Sequence, residues 1–316
     1  MRRSLVIAGG SGFLGRTLAK YFEEKGWGIL VLTRRPDASL GFRQAIWDGR
    51  TLGAWAAELD GADVLINLAG RSVNCRYTPE NRRAMMDSRV ESTEVLGLAL
   101  ANCAKAPAVW MNSSTATIYR HRYDAANDEF TGLRGATPEA KDEFSIKIAE
   151  AWEAAFERAI EANGLSQVRP VILRAAMVFG EEPGGVYHTL ARLTRFGLGG
   201  TMGEGRQWVS WMHALDFCRS IEWLIENETA RGVYNLSAPE PVTNQEMMRL
   251  LREVLGKSIG LPAYRWMLEI GAWMMRTETE LIVKSRRVVP ARLLREGFEF
   301  RFERMRAAIE DLRGEE

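Results

Sequence analysis

The stretch that decides the fold lies near the start of the chain and reads Ser4-Leu5-Val6-Ile7-Ala8-Gly9-Gly10-Ser11-Gly12-Phe13-Leu14-Gly15. It joins a short apolar run, typical of a buried strand, to glycines spaced G-x-x-G-x-x-G and then to a helical pattern. Such glycines permit a tight turn and a close approach of a pyrophosphate to the backbone. The free amide groups at the start of the helix attract its negative charge. The pattern predicts a dinucleotide-binding turn that contains Gly9, Gly12, Phe13, Leu14 and Gly15.

The first half of the chain continues this alternation of strands and helices. Further strands are predicted at 28–33, 63–67, 108–112 and 167–173. Helices are predicted at 13–25, 79–105 and 137–163. Regular alternation of this kind is typical of the α/β class, with a doubly wound parallel sheet (a Rossmann fold) covered by helices on both faces.

The second half has a different pattern of predicted elements. Helical patterns dominate at 213–227, 243–255, 263–276 and 304–313, with one strand near 232–236. We therefore expect a dinucleotide-binding domain over residues 1–174 and a smaller, mainly helical lobe on the substrate side over 175–316, with interleaved boundaries.

Composition excludes several classes of function. The 316 residues include 42 Lys and Arg against 41 Asp and Glu, a net charge of +1, so no broad basic surface exists for nucleic acid or for a membrane. Cys75, Cys103 and Cys218 form no C-x-x-C pair, which argues against a disulfide framework and a structural metal site. The first apolar run is too short for a signal peptide, and charges interrupt the apolar stretch at 259–275. We expect a cytoplasmic protein without a bound metal.

The end of the second predicted strand indicates which dinucleotide binds. An NAD site usually has an acidic residue there, which holds the adenosine ribose. This chain has Thr33-Arg34-Arg35-Pro36 instead. Two guanidinium groups favour the additional 2′-phosphate of NADP, which arginine can bind in bidentate fashion. The alternative is an exposed basic turn.

Several motifs together resemble the extended short-chain dehydrogenase/reductases, a group that includes nucleotide-sugar epimerases. They are the glycine motif, Asn67-Leu68-Ala69-Gly70, and the run from Ser113 to Tyr119. The later stretches 205–213, 235–244 and 288–300 are similar to the atypical epimerase-family branch, which carries a small C-terminal domain of unknown function. The resemblance implies that Leu68, Ala69, Gly70 and Ser113 line the cofactor, and that Arg89 approaches it. A surface salt bridge is the alternative for Arg89.

The usual catalytic groups of that group are incomplete in this chain. The resemblance places Thr115 at the Ser/Thr position that binds the reacting oxygen. Phe144 occupies the tyrosine position of Tyr-x-x-x-Lys, and Ile148 occupies the lysine position. Lys147 is one residue away, which rotates it by about 100° around the helix. Conventional tyrosine-based proton transfer is therefore not expected.

Other residues could replace the missing pair. His213 could serve as an acid or base because its ordinary pKa lies near neutrality, or it could be a structural histidine. Asn74, Arg76 and Tyr77 lie in a loop after the strand at 63–67, at the sheet edge where ligands bind. They could hold an anionic substrate or form a solvated loop. Tyr77 or a water molecule is also a candidate for the unconventional acid, besides His213. Cys75 is a remote candidate as a nucleophile, since no basic partner is evident.

The sequence favours an NADP(H)-binding protein that transfers hydride on a polar carbonyl or hydroxyl substrate at a non-standard site, with sugar nucleotides as one candidate substrate class. The rival interpretation is a catalytically silent, NADP(H)-dependent regulator or scaffold. A Trp- and Met-rich segment contains Trp266, Met267, Trp273, Met274 and Met275. It is interpreted as core or, alternatively, as a face for self-association or for a protein partner.

Overall fold

The computed structural model describes residues 2–182, 185–264, 266, 267, 269 and 279–314. Among these, no helix is both long and apolar enough to cross a membrane.

The central sheet has seven strands, all of them parallel. Along the chain, its strands are β1 (Ser4–Ala8), β2 (Gly28–Thr33), β3 (Arg43–Ile46), β4 (Val64–Asn67), β5 (Val109–Thr115), β6 (Arg169–Ala175) and β10 (Gly232–Leu236). Their order in the sheet is β10-β6-β5-β4-β1-β2-β3. The order reverses between β1 and β4, and the crevice beyond their carboxyl ends is where such sheets bind ligands.

Helices cover both faces because the strands are apolar on both sides. The helices are α1 (Phe13–Glu24), α2 (Pro79–Ala101), α3 (Glu143–Ala162), α4 (Val186–Arg195), α5 (Ala214–Glu226), α6 (Asn244–Val254), α7 (Glu280–Val283), α8 (Ala291–Arg295) and α9 (Met305–Arg313). Leu18 and Phe22 of α1 share one core with Ile221 of α5. On the opposite face, Leu96 of α2 and Phe156 of α3 belong to a second core. This arrangement confirms the doubly wound α/β fold.

A smaller lobe lies beside this sheet. It has short strands, which are β7 (Met177–Phe179), β8 (Trp208–Val209), β9 (Trp211–His213) and β11 (Val242–Thr243). Residues of α4, α6 and α9 form its apolar core around Phe179 and Trp211. The mainly helical lobe expected from the sequence is present.

Several local predictions differ from the structure. Strand β3 was not predicted because its sequence, Arg-Gln-Ala-Ile, has no apolar run, which suits the edge of a sheet. Helix α3 begins at Glu143 rather than at 137, and α2 ends at Ala101 rather than at 105. Strand β10 pairs with β6, so the chain returns to the main sheet after residue 174. Most of the helix predicted at 263–276 lies outside the described residues.

Candidate functional site

The glycine turn between β1 and α1 has one open side. Gly9 has φ +74°, and a Cβ there would lie 2.8 Å from the Ala69 Cα. A Cβ on Gly15 would lie only 2.3 Å from the Gly10 Cα, whereas a Cβ on Gly12 would meet nothing nearer than 3.8 Å. Gly9 and Gly15 therefore allow close packing, while Gly12 leaves room for a ligand next to the backbone.

Helix α1 starts directly at this opening. Its N-cap is Gly12, no side chain caps it, and its first turn contains no acidic residue. The amides of the first turn are thus available to an anion, and the helix dipole favours negative charge there. The ring of Phe13 lies next to Gly180 and Gly185, where added Cβ atoms would lie 3.1 and 3.2 Å from it. Leu14 packs against the core between α1 and the sheet.

The end of β2 lies beside the glycine turn. The Thr33 hydroxyl donates to the Arg35 carbonyl at 3.1 Å and lies 3.5 Å from the Ser11 hydroxyl. The side chains of Arg34 and Arg35 are exposed, and neither forms an ion pair within the described ranges. Two cations without an ion-pair partner in the described ranges therefore lie where the end of β2 approaches the glycine turn.

Arg16 is a neighbour that sequence reasoning missed. Its Nε donates to the Ser11 carbonyl at 2.9 Å, and its Nη2 forms an ion pair with Asp37 at 3.0 Å. Hydrogen bonds from Ser39 and from Arg16 lower the pKa of Asp37. The acid nearest in sequence to the end of β2 is thus already engaged. The position of Arg16 immediately after the last glycine could have indicated that its side chain lies beside the glycine turn.

The segment after β4 forms the opposite wall of the crevice. The Asn67 side chain accepts a hydrogen bond from the Ala69 amide at 3.0 Å and donates to Asn112 of β5 at 2.8 Å. The Leu68 amide donates to the Ala8 carbonyl at 2.9 Å. These bonds hold the turn containing Gly70 directly against Gly9. The structure thus brings together the two motifs that the sequence assigned to the cofactor.

Arg89 of α2 reaches this turn as a half-buried cation. Its Nη1 donates to the carbonyls of Arg71 and Met85 at 3.1 and 2.9 Å, and its guanidinium lies 5.0 Å from the Trp152 ring. A Cβ on Gly70 would lie 3.1 Å from the Arg89 Cζ. No described carboxylate pairs with it, and burial lowers its pKa to about 10. The surface salt bridge considered above is not observed within the described part of the chain, and the guanidinium can accept an anionic partner.

Thr115 is the last residue of β5. Its Oγ1 accepts a hydrogen bond from the Thr117 amide at 3.1 Å, which caps the short turn 116–118. Ser113 is buried, and its hydroxyl donates to the Ser114 carbonyl at 3.4 Å. Both residues lie at the carboxyl end of β5, a strand of the central sheet.

Phe144 and Tyr77 meet at the start of α3. Their rings form an edge-to-face pair with centroids 5.3 Å apart. Ile148 is buried, and Lys147 points to solvent, where it pairs with Glu143 at 2.7 Å. No lysine of this turn faces the crevice. A tyrosine from the loop after β4 therefore lies beside the position that the resemblance assigns to the catalytic tyrosine.

The described contacts of His213 include none of these residues. Its Nδ1 accepts the Leu215 amide at 3.1 Å, its Nε2 lies 3.3 Å from Asp311, and its ring centroid lies 4.0 Å from that of Phe302. Burial lowers its pKa. These contacts cap α5 and join it to α9, which favours the structural alternative for this histidine.

The remaining candidates are less well placed. Asn74 is exposed and Arg76 is half-buried. The Cys75 sulfur lies 3.6 Å from the Ser72 carbonyl and 4.0 Å from the Met85 sulfur, and no described base adjoins it. Across the ranges given above, no group of three His, Cys, Asp or Glu side chains could hold a metal ion.

Comparison with known proteins gives matches over nearly the whole chain. A model described as the NAD dependent epimerase/dehydratase family matches residues 5–237, and a domain of unknown function matches residues 265–312. An epimerase family protein of Staphylococcus aureus (strain N315) is 30% identical over 312 residues, which are 98% of this chain and 99% of the relative. One from Staphylococcus epidermidis is 30% identical over 314 residues, 99% of each chain.

Solved structures share the fold. A human epimerase family protein solved with NADPH has a TM-score of 0.82 and 24% identity, with 98% of each chain covered. A nucleoside-diphosphate sugar epimerase from Corynebacterium glutamicum has a TM-score of 0.76 and 26% identity, covering 99% of this chain and 59% of its own. A UDP-N-acetylglucosamine 4-epimerase from Bacillus cereus has a TM-score of 0.75 and 18% identity, with 99% and 98% covered.

Proposed function

The chain belongs to the NAD dependent epimerase/dehydratase family, and from that premise we propose that it binds NADP(H) and transfers hydride on a carbonyl or hydroxyl carbon of a polar substrate. The choice of NADP(H) over NAD(H) rests on the unpaired Arg34 and Arg35 at the end of β2. The NADPH in the human structure of the same fold supports it. Sugar nucleotides are the substrate class suggested by the sugar-nucleotide epimerases with this fold.

The residues around the glycine turn fit such a cofactor. The open side of Gly12 and the uncapped start of α1 would hold the pyrophosphate. Arg34 and Arg35 would bind the 2′-phosphate, with Thr33 at the end of β2 beside them. Gly70 and Ala69 would line the opposite side, with the cation of Arg89 next to them.

The proposed chemistry uses two hydroxyl groups of the protein. When bound, the cofactor supplies or accepts the hydride. The Thr115 hydroxyl would donate a hydrogen bond to the reacting oxygen. During reduction, the Tyr77 hydroxyl would give its proton to that oxygen as the carbon gains hydride, and it would recover a proton from solvent. During oxidation, both transfers would run in reverse.

The observation that carries this proposal is the contact between Tyr77 and Phe144, because it puts a phenol beside the site of the missing one. The test incubates purified protein with NADPH and a panel of carbonyl compounds and nucleotide sugars, and follows NADPH absorbance. We expect turnover with at least one substrate, and a loss of kcat of about 100-fold in Thr115→Ala. Absence of turnover, or a Thr115→Ala variant equal to wild type, would overturn the catalytic proposal.

The second candidate is a silent regulator that reports the NADP(H) state to a partner. Phe144 and Ile148 favour it, because neither side chain can move a proton. The partner surface proposed at 266–275 is described only in part: Trp266 and Met267 are exposed, while Trp273, Met274 and Met275 lie outside the described residues. Tight NADPH binding without turnover, accompanied by a change of oligomeric state in light scattering, would support this candidate.

A further inference from the structure

Lys284 is a lysine from the C-terminal domain of unknown function that is completely buried inside the protein. Its Nζ lies 2.5 Å from Asp142 Oδ2, and it donates to the Thr117 carbonyl at 2.6 Å. Asp142 is also completely buried. Removing a lysine and a carboxylate from water is costly unless each finds a partner, so this arrangement depends on a defined geometry.

The Thr117 carbonyl and Asp142 both adjoin residues of the candidate site. The Thr117 amide donates to Thr115 Oγ1 at 3.1 Å. Lys284 therefore binds the carbonyl of Thr117, while Thr115 binds the amide of the same residue. A hydroxyl has one hydrogen to donate. Thr115 Oγ1 accepts from the Thr117 amide and donates to no described acceptor, so its own hydrogen is available for a substrate oxygen. Lys284 thus fixes the turn that orients this donor.

Asp142 connects the same lysine to the start of α3. It immediately precedes Glu143, the first residue of the helix, and stands two residues before Phe144. Its Oδ1 accepts the Thr137 amide at 2.9 Å, and its carbonyl accepts the Ile146 amide at 3.0 Å. Lys284 therefore links the turn after β5 to the start of α3, where Phe144 contacts Tyr77.

Apolar contacts support this link from the same C-terminal segment. Val288 is fully buried in a small cluster with Ala116, Ile118, Tyr119 and Ala149. The Ser285 hydroxyl donates to the Arg122 carbonyl at 2.8 Å. The domain of unknown function thus contacts the Thr115 turn through a charge and an apolar side chain, and it contacts the segment after that turn through a hydroxyl.

We propose that Lys284 is a positioning residue through which the C-terminal domain holds the 115–117 turn and the start of α3, so that the Thr115 hydroxyl faces the reacting oxygen. The catalytic part rests on the function proposed above. The structural part, a rigid turn held by Lys284 and Asp142, can be measured without any substrate.

The test uses the double variant Lys284→Gln/Asp142→Asn, which removes both buried charges and keeps groups able to hydrogen bond. Lys284→Met alone would leave a buried carboxylate uncompensated and would test folding instead. The matched control is Lys147→Gln/Glu143→Gln, which removes an exposed ion pair from the same end of α3. The measurements are amide hydrogen exchange, NADPH affinity, and kcat with and without Thr115→Ala.

We expect exchange at 115–119 to accelerate about 10-fold or more in the double variant, with no change at β1 or in the control. NADPH affinity should stay within about two-fold, while kcat falls about 10- to 100-fold. In the Thr115→Ala background the double substitution should have little further effect.

The outcomes separate the two proposals. Unchanged exchange at 115–119 would overturn the role of Lys284, whatever the activity. Additive losses of kcat from the double variant and Thr115→Ala would overturn its action through Thr115. Faster amide exchange at 115–119 in a protein without turnover would support the role of Lys284 in holding the turn and would refute the reaction proposed above.

Discussion

The ring of Tyr77 meets the ring of Phe144 edge to face, with centroids 5.3 Å apart at an interplanar angle of 72°. The two residues come from different elements, the loop before α2 and the first turn of α3. Arg82 lies over the Phe144 ring at 4.9 Å and donates to the Tyr77 carbonyl at 2.9 Å. The only hydroxyl in this aromatic pair is that of Tyr77.

The first prediction concerns that hydroxyl. Tyr77→Phe keeps the ring contact and removes the proposed proton donor. We expect kcat to fall about 100-fold or more, because general acid catalysis contributes about 10²- to 10⁴-fold, with NADPH affinity unchanged. Tyr123→Phe, on the surface near Arg206, is the control and should retain full activity. Equal kcat in the two variants would remove Tyr77 from the mechanism.

The second prediction concerns the choice of cofactor. Arg34→Ala/Arg35→Ala should weaken NADPH binding by about 10- to 100-fold, since hydrogen bonds to a charged group contribute about 1.5–3 kcal/mol. NADH affinity should not change, because NADH lacks the 2′-phosphate. Arg43→Ala, which removes an exposed arginine paired with Glu58, is the control. Calorimetric titration with both nucleotides measures the effect. Equal losses for NADPH and NADH would contradict a 2′-phosphate site.

The third prediction separates the roles of two glycines. Gly15→Ala would place its Cβ 2.3 Å from the Gly10 Cα, and should destabilise the fold by about 1–3 kcal/mol. Gly12→Ala has room for its methyl group and should unfold like wild type in urea. That methyl group would nevertheless occupy the open side of the turn and weaken NADPH binding. Normal NADPH affinity in Gly12→Ala would place the pyrophosphate elsewhere.

The fourth prediction concerns the buried pair of Arg174 and Glu153. The guanidinium binds the carboxylate at 2.8 and 2.7 Å, and Ser114 donates to the same carboxylate at 2.6 Å. Glu153→Leu should lower the free energy of unfolding in urea by about 3–5 kcal/mol, because the Arg174 guanidinium would remain buried without the carboxylate of Glu153. Arg174→Met/Glu153→Leu should cost less than Glu153→Leu alone. A double variant that is less stable than the single one would refute this account.

The fifth prediction concerns pH. Burial lowers the pKa of both His121 and His213. Below about pH 6.5 the unfolded chain therefore binds more protons than the folded chain, and the free energy of unfolding decreases as the pH falls from 7 toward the folded pKa values. His213→Asn retains a good N-cap residue for α5 and should flatten this dependence. His188→Gln, at the surface, is the control. The measurement is the free energy of unfolding in urea between pH 5 and 8. An unchanged slope of this free energy with pH in His213→Asn would contradict a contribution from His213.

Sequence reasoning succeeded where the signal is local. The glycine spacing and the alternation of strands and helices identified the Rossmann sheet, and the C-terminal helices at 214–226, 244–254 and 305–313 lie close to their predicted positions. It failed for β3, whose four residues carry no periodic apolar signal at the sheet edge. Helix α4 was also not predicted, although three of its ten residues are leucine or valine and its apolar face packs in the small lobe.

The sequence by itself determined the turn between β1 and α1, because backbone freedom at glycine and helix initiation depend on neighbours along the chain. The resemblance read from it also assigns Phe144 and Ile148 to the positions of the usual tyrosine and lysine, which stays a prediction. Only the tertiary structure decided that Tyr77 lies beside Phe144, that His213 turns toward Asp311, and that Lys284 reaches the turn after Thr115. These contacts join segments distant in sequence, and packing of the whole chain decides which of them meet.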